Sequence, residues 1–124
     1  MRTTFQMHDG VRICHLDFSN TSGEAEVLAA IAESKKVIAA EPPRSVYTIT
    51  NVANSIVTSR IRAALQDLTT HNKPFVIFGA VTGLSGIQRV ILRGIIQLTG
   101  RRLVAAESME AAVEAVVREA KGAK

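Results

Sequence analysis

The run FVIFGAV, residues 75–81, holds no polar side chain and sits between a Lys-Pro pair and a Gly/Ser turn. A half-buried strand alternates apolar with polar residues, whereas an unbroken run suits a strand covered on both faces, as in the middle of a parallel sheet. Parallel neighbours need crossovers, so helical segments should flank the run. They do. Before it, NSIVTSRIRAALQDLTTHNKP reads as a helix with Val57, Ile61, Ala64, Leu65 and Leu68 on one face, ended by His71, Lys73 and Pro74. After it, a helix runs to about Thr99 and is closed by Gly100.

The rest of the chain extends the alternation. TTFQM and VRICHLDFS are β-prone runs joined at Asp9-Gly10, a hairpin turn pair. A helix follows: Thr21 and Glu24 have capping-box spacing, Val27, Leu28, Ile31 and Ile38 form its stripe, and Pro42-Pro43 stop it. SVYTIT and RRLVAA are short strands. Ser108 N-caps a final helix that turns Val113, Val116, Val117 and Ala120 inward. The order ββαβαβαβα predicts an α/β fold with a five-stranded mixed sheet, helical crossovers and one antiparallel hairpin strand.

Composition narrows the function classes. At 124 residues and 47% apolar content the chain suits one globular domain rather than disorder. No stretch approaches the ~20 apolar residues of a membrane span, and the start lacks a signal-peptide pattern, so cytoplasm is the expected setting. A lone cysteine, Cys14, in an apolar run is expected to pack inertly. His8, His15 and His71 show no metal-ligand spacing, so neither a metal nor a cofactor is expected. No nucleophile elbow, Walker loop or dinucleotide fingerprint occurs, and no catalytic residue is assigned. Asp17, at a strand end, is expected to cap the next turn.

Charge is uneven. No acid lies between Asp67 and Glu107, where Lys73, Arg89, Arg93, Arg101 and Arg102 fall. A positive surface there favours an anionic partner or ligand, but scarce aromatics and the absence of Trp argue against nucleic acid. Within the segment, TGLSGIQR has the makings of an anion cradle: Thr82, Gly83, Ser85 and Gly86 at a helix N-terminus, with Arg89 one turn in. The same residues also make an ordinary strand-to-helix turn. In the helix beyond, periodicity assigns Ile87, Ile91, Ile95 and Leu98 to the core. Leu92 and Ile96 then become contact residues of a self-associating face, a two-fold dimer being the commonest closed assembly.

YTITNV, HNKPFVIFGAVTGLSGIQRVI and LTGRRLVAAESMEAA resemble a bacterial family described as STAS- or Sec14-like, and the element order resembles the STAS (SpoIIAA-like) fold of anti-sigma-factor antagonists. The likeness spans roughly residues 11–117. It implies a small non-enzymatic domain for regulatory protein contacts, sometimes with a small ligand. Residues 1–124 are then one STAS-like domain, with 119–124 a frayed tail. Phospho-switched antagonists carry Asp-Ser-Ser/Thr-Gly after the third strand; this chain has NVANSIVTS. Ser55 stands near the switch position, with Asn51 and Asn54 where an acid is more common. A phosphate on Ser55 would act as a switch, and an N-cap explains the residue equally well. Two function classes are expected: a regulatory or scaffolding domain that self-associates, or a binder of a phosphate-bearing metabolite or lipid head group through loop 82–86.

Overall fold

In the computed structural model, which describes residues 2–122, Asp9 (φ 53°) and Gly10 (φ 83°) are both left-handed. That conformation gives a tight hairpin the twist of its strands. It joins β1 (Thr3–His8) to β2 (Val11–Asp17), paired antiparallel. The chain continues through α1 (Glu24–Ala39), β3 (Val46–Asn51), α2 (Ser59–Asn72), β4 (Val76–Thr82), α3 (Gly86–Thr99), β5 (Leu103–Ala106) and α4 (Met109–Gly122). The five strands lie in the order β1-β2-β3-β4-β5, and β2 to β5 are parallel. The fold is therefore α/β with the expected mixed sheet and element order.

Because each parallel strand is laid down beside the last in one direction, right-handed crossovers put α1, α2 and α3 on the same face. Val27, Ile31 and Ile38 of α1 and Ile61 and Leu68 of α2 pack there against Cys14, Leu16, Val76 and Val81. Helix α4 has no following strand and folds onto the other face, where Ala112 and Val116 meet Ile13, Ile49, Phe78 and Ala80. β4 is buried between these two layers, which is why its sequence lacks polar alternation. At Gly79 an added Cβ would lie 2.3 Å from Thr48 Oγ1, so this point of closest strand packing requires glycine.

Several boundaries differ from the sequence reading. Helix α1 is capped at extended Gly23, not Thr21. The Thr21 hydroxyl instead donates to the Phe18 carbonyl (3.4 Å), and the Glu24 carboxylate accepts from Thr58 and Arg60. Helix α2 begins at Ser59 with Thr58 as its cap, so Ser55 is no N-cap and Val57 lies outside the helix. The cause is local. Val52 N–H donates to the Thr82 carbonyl, Asn54 is left-handed (φ 55°) and the Ser55 N–H donates to the Val52 carbonyl, which commits residues 52–55 to a turn.

The largest difference is the orientation of α3. Ile87 (70% exposed) and Leu98 (72%) face out, not into the core. Ile95 and Thr99 are buried, and Leu92 packs against the core from a half-buried position. The helix is rotated by roughly 70–80° from the periodicity reading. Two polar side chains fit this orientation: the Gln88 amide donates to the Ser55 carbonyl across the loop, and the inward Thr99 hydroxyl is satisfied within the helix by the Ile95 carbonyl. Satisfied polar groups can take inner positions that an apolar count gives to isoleucine.

Candidate functional site

Three loops meet beyond the carboxyl ends of β2, β3 and β4, and they hold most of the residues singled out in the sequence. Asp17 Oδ1 accepts from the Ser19 N–H (3.0 Å) and hydroxyl, the turn-capping role expected of it. Asn51 Oδ1 accepts from the Ala53 N–H (3.0 Å), and Asn54 donates to the Asn20 side chain (2.9 Å). The Ser55 hydroxyl is half-buried and lies within hydrogen-bond distance of the Thr21 hydroxyl (3.3 Å). Gly83 (φ 83°) presses against Ala53, whose backbone N would lie 2.5 Å from an added Cβ. The spacing thus reflects backbone packing between loops.

The cradle residues are not all placed to hold an anion. Thr82 is buried, and its register with Asn51 and Ala106 turns its side chain to the α4 face. Ser85 and Gln88 form a reciprocal capping box: the Ser85 N–H donates to Gln88 Oε1 (2.8 Å) and the Gln88 N–H to Ser85 Oγ (3.3 Å). Two donors that an anion would use are therefore engaged. Gly86 is unobstructed and Arg89 is exposed. Nor does the sheet provide a switch-point crevice, because such a crevice needs a reversal of strand order and this order never reverses.

A cavity of about 90 Å³ lies instead beneath α3, between it, α2 and the sheet. Its walls are mainly apolar, with Leu16, Leu68, Val81, Ile91, Leu92 and Ile95 among them. Ser55 and Gln88 line it at the end where the strands finish. Thr69, Asn72 and Arg101 line it where β5 begins. Arg101 is only 7% exposed and donates to the Thr69 carbonyl at 3.1 Å. Burial lowers its pKa to about 10, which still leaves it charged at neutral pH. The seven ion pairs among the described residues use Arg2, Arg12, Lys35, Arg60, Arg102, Arg118 and Lys121. Arg101, Arg89 and Arg93 take part in none of them. Sequence reasoning passed over Arg101, although one signal was present: a strand-leading arginine in a segment with no acid to pair with.

The outward face of α3 is the other unusual feature. Ile87, Val90 (63% exposed), Ile91, Gly94 and Leu98 fall within about 100° of one another around the helix. Leu92, expected at a contact, is half-buried against the core, and Ile96 is half-buried. The exposed stripe thus lies beside the residues that the sequence suggested. The other large exposed apolar side chains, such as Met7 and Val104, are spread over different elements.

The hairpin also brings His8 and His15 together, Nε2 to Nε2 at 2.9 Å, a pairing that sequence spacing hid. No group of three or more His, Cys, Asp or Glu suited to a metal occurs among the described residues. Cys14 is fully buried, and burial pushes its thiol pKa up to about 12, as expected of a packing residue. No described helix is long and apolar enough to cross a membrane. Comparison with family models, curated proteins and solved structures finds no match to this chain.

Proposed function

We propose that this chain is a STAS-like regulatory or scaffolding domain without catalytic chemistry, acting in the cytoplasm through protein contacts and self-associating as a two-fold dimer. The observation that carries the reading is the outer face of α3, where Ile87, Val90 and Leu98 are 70%, 63% and 72% exposed on one helix. A contiguous apolar stripe of this kind marks an interaction surface more often than scattered exposed residues do. In a two-fold contact the stripe would face its own copy, apolar against apolar.

Magnitudes set the expected strength. Covering three such side chains in each of two copies yields roughly 6–12 kcal/mol, against about 4–15 kcal/mol lost on association. At the favourable limit about 8 kcal/mol remains, so the dimer is micromolar at its tightest. Light scattering tests this: the wild type should approach twice its 13.3 kDa mass at high micromolar concentration. Leu98→Glu should return it to monomer without loss of folding. A wild type that stays monomeric there overturns the reading. A second reading, that the domain binds a small ligand, is supported by the cavity beneath α3 more than by loop 82–86, where the capping box engages two N–H groups.

A further inference from the structure

We propose that the cavity beneath α3 is a binding site for a small monocarboxylate with an apolar tail, its carboxylate held by Arg101. A buried guanidinium normally has a counter-ion, because removing charge from water is costly. Arg101 forms no ion pair among the described residues, and its neighbours on the cavity wall, Thr69, Asn72 and Leu103, are uncharged. Capping the Thr69 carbonyl, near the negative end of α2, explains one donor of the five that a guanidinium carries. The remaining donors are not sealed away. Thr3 Oγ1 is the one fully buried side-chain polar atom without a partner among the described residues. The unbonded nitrogens of Arg101 therefore still open onto accessible space.

The cavity selects the rest of the ligand. Past Arg101 its walls are set by Leu16, Leu68, Leu92 and Ile95, which favour a hydrocarbon. A volume of about 90 Å³ is well below the ~150 Å³ of a cavity that encloses benzene, so it takes about three to four heavy atoms, a short hydrocarbon tail. One guanidinium matches the single charge and planar fork of a carboxylate. A phosphate dianion would keep a charge uncompensated among apolar walls. A neutral molecule of the same shape would leave the arginine as it is.

Titration calorimetry of the full chain with butyrate tests this, with butan-1-ol, butylamine and inorganic phosphate as comparisons. Butyrate should bind one per chain at about millimolar concentration, butan-1-ol about tenfold or more weaker, since a charge-assisted bond is lost. Butylamine and phosphate should show no saturable binding. Arg101→Gln should bring butyrate down to the level of butan-1-ol, with Arg101→Lys between. The Arg101 Nε–H resonance should shift saturably with butyrate in the wild type, a readout that needs no variant to fold. No saturable butyrate binding, equal affinity for butan-1-ol, or equal competition by phosphate overturns the proposal. The exposed side chains of Ile87, Val90 and Leu98 take no part in this site, so either result leaves the dimer reading to its own test.

Discussion

Among single residues, the His8–His15 pair makes the most direct forecast. At neutral pH one ring donates to the other across 2.9 Å; with both protonated, two donors and two charges would face each other. Burial, and then the charge of His8, hold the His15 pKa below its ordinary 6.5. The unfolded chain therefore takes up this proton first. The pair's contribution to stability is full above pH 6.5 and is lost as pH falls through the lowered folded value. Urea denaturation at stepped pH should show that decline, and His15→Gln should flatten it. An unchanged slope in the variant would place the pH dependence elsewhere. The chain names both histidines, but their meeting depends on antiparallel register across a turn, which spacing along the chain does not display.

Among the elements, α3 separates what the sequence makes legible from what it hides. Its limits, the Ser85 cap and the Gly100 stop, follow from local rules, and the structure keeps both. Its orientation does not, because apolar residues surround the helix and the choice of inner face falls to tertiary contacts such as that of Gln88 with the Ser55 carbonyl. The same limit applies to Thr21 and Ser55, whose hydroxyls bond each other across two loops rather than capping helices. Gly94 gives this helix a prediction of its own. It lies mid-helix within the exposed stripe, and a Cβ there would meet nothing within 4 Å in the single chain. Gly94→Ala should therefore stabilise the monomer by about 0.5–1 kcal/mol. If two copies pack through this face, the added methyl should also weaken association. Denaturation and light scattering on the same variant check both; a more stable protein with unchanged association would move the contact away from Gly94.

At the scale of the whole molecule, the sheet order accounts for where function is placed. Strands laid down in one direction gather α1, α2 and α3 on one face and leave no crevice at a strand reversal. Alternation in the sequence was enough to give the α/β class, the mixed sheet and the element order, since FVIFGAV demanded cover on both faces and the flanking helices supplied it; the spatial order of the strands was not read from it. The cavity was not legible, because it arises where α3 packs over α2 and the sheet, and no local pattern records that fit. Helix α3 thus has an inner side over the Arg101 cavity and an outer apolar one toward solvent. The account's central claim is that the outer side is a contact between copies. Its most direct test is a dilution series of ¹⁵N–¹H spectra from millimolar to low micromolar protein. Concentration-dependent shifts should centre on Ile87, Val90, Ile91, Gly94 and Leu98 and spare α4. Spectra that do not change with dilution, or changes centred on α4 or the β1–β2 hairpin, would contradict it.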